Sequence, residues 1–232
     1  MNSLEARLNQ VRQRIQDAVM ANGRQPGSIK LLAVSKTRHA DEIRAAYLLG
    51  QRAFGESYLQ EALKKIGQLS DLKLEWHFIG RLQSNKTKPI AENFAWVHSL
   101  ASLKHAQRLS DQRPVGLAPL KVCIQVNTSG EASKDGHEPT ELPELLERYA
   151  AFSNLAIQGL MTIPAPSDAP DTQQRPFQML RELRDCLSTD TLPLATLSMG
   201  MSSDLEAAIA EGSSLVRIGT AIFGPRQYNV KN

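Results

Sequence analysis

The stretch LLAVSKTRHADEIRAAYLLG, residues 31–50, holds an apolar run of buried-strand length, 31–35 (LLAVS), followed by a helix-like segment, 40–49, that stops at Gly50. Lys36 stands between them, where the strand ends and the approach to the helix begins. Outward from here the same unit recurs. Further short strands are predicted at 52–54 (RAF), 76–79 (WHFI), 95–98 (AWVH), 121–126 (KVCIQV), 156–160 (AIQGL), 194–197 (LATL) and 215–218 (LVRI), making eight with the first. Helix-like segments separate them at 58–69, 84–93, 102–110, 140–151, 172–187 and 204–211, the last followed by Gly212. Ser203 and Glu206 have capping-box spacing, which predicts the start of that last helix.

Strands that alternate with helices pair in parallel through right-handed crossovers, and eight such units close most naturally into an α/β (β/α)8 barrel. An open, doubly wound sheet is the competing arrangement. Leu4, Leu8, Val11, Ile15 and Val19 recur at helical spacing ahead of Gly23, so an extra N-terminal helix precedes the alternation. No linker is evident. The Pro-rich stretch 163–176 (IPAPSDAPDTQQRP) lies between the sixth strand and its helix and reads as a functional or mobile loop within one domain spanning 1–232.

Composition excludes several classes. The 232 residues are 41% hydrophobic and 22% charged, ordinary values for a globular chain and unlike a disordered or fibrous one. Net charge is +3 with the positives scattered, so neither nucleic acid nor an anionic membrane is an expected partner, although small anionic ligands are. The opening MNSLEARLNQVRQRIQDAVMANG lacks the apolar core of a signal peptide, and no stretch approaches the roughly 18 to 20 apolar residues of a membrane span. Cys123 and Cys186 form no CxxC pair and have no histidine at metal-ligand spacing, so no metal is expected and a reducing cytoplasm is the simplest location.

In such a barrel, ligands gather at the carboxyl ends of the strands, and a phosphate is often held by the loops after strands seven and eight. Those loops read SMGMSSDLEAAIAEG and RIGTAIFG. Gly200 permits close backbone approach, Ser202 and Ser203 offer hydroxyls at a helix start, and Gly219 with Thr220 can do the same. Either loop alone could be a tight turn and cap; side by side they point to phosphate. Lys36, on the strand that closes against strand eight, then has a role. An amine in an apolar setting is nucleophilic and condenses with an aldehyde, so a ligand with both phosphate and carbonyl is indicated, pyridoxal 5'-phosphate (PLP) foremost.

Arg217 sits within strand eight, two residues before Gly219. It either faces a pyridine nitrogen, donating a hydrogen bond without readily yielding a proton, or forms a salt bridge that closes the barrel. Weaker candidates at strand ends are Glu56, Ser57, His77, Asn85, Asn127 and Met161, with His77 read as a structural histidine. The basic run 81–89 (RLQSNKTKP) and the tail 226–232 are possible partner surfaces, read more simply as solvated.

The motifs LLAVSKT, FGESYLQE, WHFIGRLQSNK, QVNTSGEASKDG, GLMTIPAP, SMGMSSDLEAAIAEG and VRIGTAIFG together resemble the pyridoxal phosphate homeostasis protein family, the YggS/PROSC group, in its bacterial form. The resemblance covers nearly the whole chain in order. It implies a TIM barrel like the amino-terminal domain of alanine racemase, with Lys36 forming a Schiff base with PLP, Met201, Ser202, Gly219 and Thr220 contacting the phosphate, and Arg217 facing the pyridine nitrogen. One departure is visible: the family usually reads GENY where this chain reads GESY, so Ser57 replaces an asparagine.

The resemblance also implies a non-catalytic protein that holds, buffers or delivers PLP, maintaining vitamin B6 and amino-acid homeostasis, with PLP-dependent apo-enzymes as partners. The residues give a separate reason. Racemisation needs a second acid–base group opposite the lysine, and Tyr47, Tyr58, Tyr149 and Tyr228 fall on predicted helices, at a helix start or in the tail. A monomer is expected because the racemase-type second domain, which makes the usual dimer contacts, is expected to be missing. The alternatives are a PLP-dependent racemase-like enzyme, with His77 or a mobile-loop residue as second base, and a Schiff-base aldolase acting on a phosphosugar.

Overall fold

The computed structural model describes residues 3–130, 135–165 and 169–225. Eight strands, β1 (Lys30–Val34), β2 (Ala53–Glu56), β3 (Glu75–Phe78), β4 (Trp96–Leu100), β5 (Leu120–Gln125), β6 (Leu155–Met161), β7 (Thr196–Ser198) and β8 (Leu215–Ile218), form a closed barrel in chain order. All pairings are parallel. Closure is made by β1 on β8, with Leu32 opposite Arg217 and Ala33 opposite Ile218. The open-sheet alternative is thereby excluded.

Helix α1 (Leu4–Ala21) precedes the barrel, and α2 (Ala40–Leu48), α3 (Leu59–Gln68), α4 (Thr87–Asn93), α5 (Leu103–Asp111), α6 (Leu142–Ala150), α7 (Pro170–Leu187), α8 (Leu205–Ala210) and α9 (Thr220–Phe223) surround it. The predicted segments 84–93 and 140–151 each open with a short 3-10 turn, Ser84–Lys86 and Pro139–Glu141, before the α-helix proper. None of the described helices is long and apolar enough to cross a membrane.

Two expectations need correction. The predicted loop 163–176 is shorter than it reads, because α7 begins at Pro170, where a proline's fixed φ suits a first helical position; its residues 166–168 lie outside the described residues. The Ser203–Glu206 capping box does not form. Asp204 is the N-cap of α8, and the Glu206 carboxylate instead pairs with Arg14 of α1 at 2.8 Å, a long-range partner that local spacing cannot reveal.

The main apolar core lies between the outer faces of the strands and the helices, and includes Phe54, Val97, Val122, Leu160, Leu197 and Ile218, all fully buried. α1 is tied to the carboxyl end of the barrel by its arginines. Arg7 donates to Ile222 O at 2.7 Å and Arg14 to Ser202 O at 3.2 Å, while Arg24, beyond the end of α1, donates to Ile209 O at 2.8 Å near the carboxyl end of α8. Ser202 lies just before α8 and Ile222 within α9, so the N-terminal helix braces both of the last βα-loops.

Strand β6 passes β7 so closely that a Cβ on Gly159 would lie 1.8 Å from Thr196 O. Gly159→Ala must therefore part the two strands and should lower the unfolding free energy by about 3 kcal/mol. Gly67, on α3 with open space around it, should instead gain about 0.5–1 kcal/mol on replacement by alanine, as an exposed helical glycine does. Urea unfolding of the two variants checks both signs.

Candidate functional site

At the carboxyl ends of the strands a cleft of about 310 Å³ is lined by Val34, Lys36, Ser57, Ile79, Met161, Ile163, Met201, Ser202, Ser203, Arg217, Gly219 and Thr220. All six residues assigned to the cofactor on sequence grounds, Lys36, Met201, Ser202, Arg217, Gly219 and Thr220, are in this one cleft. Ser57 and Met161, held as weaker candidates, line it too. No carboxylate is among the described lining residues, so two cationic side chains and four hydroxyls face an apolar wall, a composition suited to an anion with a flat apolar body.

Lys36 is the second residue of a turn closed by Arg38 N–H donating to Ser35 O at 3.1 Å. Thr37, the third residue, has φ +65°, a left-handed conformation that costs a β-branched residue free energy. Charged neighbours hold it there. The Glu61 carboxylate accepts the Thr37 N–H at 2.6 Å, and Lys65 bonds that carboxylate, Glu56 Oε1 at 2.8 Å and Ser35 O at 2.7 Å. Lys65 and Glu56 are buried, and burial pushes the Glu56 carboxyl above its ordinary value despite Lys65 and Ser35. Thus Glu56, one of the weaker strand-end candidates, orders the backbone that presents Lys36.

The loops after β7 and β8 meet where Ala221 N–H donates to Ser202 Oγ at 3.4 Å. Gly200 has φ +96°, and a Cβ there would lie 2.6 Å from the Ala208 Cβ, so the loop needs glycine. Met201 gives its own N–H to Asp204 Oδ1 at 2.5 Å.

Arg217 is 4% exposed. Its Nη1 donates to Ser198 O at 2.6 Å and Ser198 Oγ at 2.7 Å, and Nη2 to Thr162 O at 2.8 Å. These are neutral oxygens, and the ion pairs of the described residues do not include Arg217, so the salt-bridge reading is set aside. Burial pulls its pKa down to about 10, which still leaves it charged at neutral pH.

Below Arg217 the barrel interior is polar. Ser198 Oγ lies 2.8 Å from His98 Nδ1, His98 Nε2 lies 2.8 Å from His77 Nδ1, and His77 Nε2 lies 2.5 Å from Glu75 Oε1, which also binds Lys30. His77, His98 and Ser198 are fully buried. His77 therefore does not line the cleft, in keeping with its reading as a structural histidine. Asn85 is exposed in the 3-10 turn, and Asn127 donates to Glu138 at 3.2 Å. Of the tyrosines, Tyr47 stacks on Arg52, Tyr58 is exposed at the start of α3, and Tyr149 is buried against His137 at 2.7 Å; Tyr228 lies outside the described residues. Sequence reasoning missed Val34, Ile79 and Ile163, whose signal was only their position at or after the ends of β1, β3 and β6.

A family profile described as "Alanine racemase, N-terminal domain" matches residues 2–227. The protein from Pseudomonas aeruginosa named "Pyridoxal phosphate homeostasis protein" is 56% identical over 228 residues, which cover 98% of both chains. The chain belongs to the pyridoxal phosphate homeostasis protein family. Among solved structures, that of PipY from Synechococcus elongatus with PLP bound is similar at a TM-score of 0.76 and 39% identity, covering 90% of this chain and 100% of that one. Alanine racemase from Corynebacterium glutamicum shares the fold at a TM-score of 0.66 and 20% identity, covering 93% of this chain and 63% of that one. This is the barrel that the family resemblance implied.

The polar interior makes stability depend on pH. Burial is the main cause that lowers His77 to about 4, against Glu75, while Lys30 and Lys121 reinforce it. His98 is lowered well below its ordinary value by burial, His77, Arg217 and Lys30. The unfolded chain binds these protons first, so stability should fall as pH drops from about 6.5 to 4, by about 1.4 kcal/mol per pH unit for each histidine in its range. Glu75, lowered to about 2 mainly by its hydrogen bond to His77, should extend the loss below pH 4.5. Urea midpoints measured from pH 7 to pH 4 check this, and His77→Gln should flatten the upper part of the slope.

Proposed function

We propose that this chain binds pyridoxal 5'-phosphate in the cleft at the carboxyl end of the barrel and buffers or delivers it without turning over a substrate. One observation carries the reading: Lys36, Arg217 and the hydroxyls of Ser202 and Thr220 share one cleft whose described lining residues include no carboxylate, in a chain 39% identical to PipY, whose structure has PLP bound. When bound, the cofactor would supply an aldehyde, and the Lys36 amine is the group that would hold it covalently. Ser202, Gly219 and Thr220, with Met201, would hold the phosphate. Arg217 would hold the ring nitrogen; its pKa, lowered by burial to about 10, leaves it charged at neutral pH, so it would donate a hydrogen bond there and keep its proton.

The absence of turnover rests on what the cleft offers for proton transfer. Among the described lining residues the only titratable side chains are Lys36 and Arg217. A racemase needs a second acid–base group on the opposite face, and His77 is sealed in the barrel interior, away from that role. The same reading has the protein act as a monomer in the cytoplasm and hand its cofactor to PLP-dependent apo-enzymes. The free thiols of Cys123 and of exposed Cys186 suit a reducing compartment.

The test is the absorption spectrum of wild-type and Lys36→Ala protein mixed with PLP, then reduced with borohydride and mapped by mass spectrometry. The wild type should show a band that the variant lacks, with the reduced adduct on Lys36. An adduct scattered over surface lysines would reject the site. Amino-acid racemisation above background that is lost in Lys36→Ala would reject the non-catalytic part and favour the enzyme reading.

A further inference from the structure

The chain of side chains inside the barrel can be given a direction. Its two ends are fixed by chemistry: a guanidinium only donates, and an ionised carboxylate only accepts. Glu75 therefore requires a proton on His77 Nε2, at 2.5 Å. In a neutral imidazole this makes His77 Nδ1 an acceptor, so the proton between the two rings belongs to His98 Nε2. His98 Nδ1 must then accept from the Ser198 hydroxyl, leaving the Ser198 oxygen to accept from Arg217 Nη1. The reverse order would set a bare ring nitrogen against a carboxylate. With neutral rings, a single arrangement satisfies every bond.

The path crosses the barrel. β4 and β7 are not neighbours in the sheet, so the bond from His98 to Ser198 runs through the interior, as does that from Lys30 on β1 to Glu75 on β3. Trp96 stacks on His77 at 5.3 Å with the rings 7° from parallel, which holds that ring in plane. Glu75 and Lys30 stand at the amino-terminal mouth, where their side chains are 32% and 41% exposed, while Arg217 lines the cleft at the other end.

We propose that Glu75, His77, His98 and Ser198 form a one-way hydrogen-bond relay that positions Arg217 toward the cofactor ring, so that the ring's partner is oriented from the opposite mouth of the barrel. This rests on the PLP reading above. Because the Ser198 proton is committed to His98, its oxygen is held as an acceptor, and Arg217 Nη1 is fixed by two oxygens of one residue. The relay members touch no ligand; they are positioning residues. Loss of the Glu75 charge removes the reason for the direction, and both rings become free to exchange tautomers.

The first measurement needs no cofactor. Long-range proton–nitrogen-15 correlation spectra of histidine-labelled apo-protein at pH 7 should show His77 and His98 as neutral Nε2–H tautomers; an Nδ1–H tautomer at either ring overturns the relay. In Glu75→Gln both rings should become tautomer mixtures. That variant, at the far mouth, and Ser198→Ala should each weaken PLP binding by about 3- to 10-fold, the scale of one ordinary net hydrogen bond, and displace the absorption maximum of the bound cofactor. Wild-type affinity and an unmoved maximum in both variants, each folded by circular dichroism, overturn the proposal. If the wild type forms no Lys36 adduct, the PLP reading fails and the relay's role toward the ring fails with it, an outcome the apo-protein spectra keep distinct from failure of the relay itself.

Discussion

Closure of β1 onto β8 is the constraint on which the site depends. Lys36 and Thr220 are 184 positions apart in the chain, yet the pairing of Leu32 with Arg217 and Ala33 with Ile218 brings the turn after β1 beside the loop after β8. Parallel strands in register end at the same level, so every loop that follows one opens on the same face. An open sheet with other strand neighbours would bring different loops together.

Holding that face together requires support from outside the cleft. Thr37 is kept in a left-handed conformation by Glu61, itself anchored by the buried Lys65, and this fixes the direction in which the chain leaves β1. On the other side, α1 reaches up with Arg7 and Arg14 to the carbonyls of Ile222 in α9 and of Ser202 just before α8. Backbone oxygens near helix ends often lack partners, and the arginines satisfy them while fixing the loops. The N-terminal helix is thus part of the framework of the site.

The barrel interior divides by chemistry. One patch is apolar, built from Leu32, Ala53 and Leu215, and another holds Trp96, Cys123 and Met161. Between the two mouths runs the polar file of Glu75, His77, His98, Ser198 and Arg217. Buried imidazoles and a guanidinium are tolerated there because each has partners at hydrogen-bonding distance; deleting one would strand the next. This file links the chemistry of the cleft to the far end of the barrel.

The eight strands were legible in the sequence because short apolar runs, punctuated by helices of 3.6-residue period, need no distant information. The six cleft residues were legible because lysine, serine, glycine and threonine at strand ends have few structural reasons to be there, and because the motifs around them resemble a known family. What could not be read was everything that depends on which strand faces which. Ser203 and Glu206 had the spacing of a cap, yet Arg14 took the glutamate. His77 was read as a structural histidine, but its partner His98 stood out only once the barrel brought a nitrogen of each ring to 2.8 Å from the other. The sequence by itself determined the order of elements and the chemistry available at each strand end, since local pattern and residue type suffice for both. Only the tertiary structure decided how those groups pair, since a closed barrel brings together residues from strands far apart in the chain, and the burial it imposes leaves each polar group few partners to choose from.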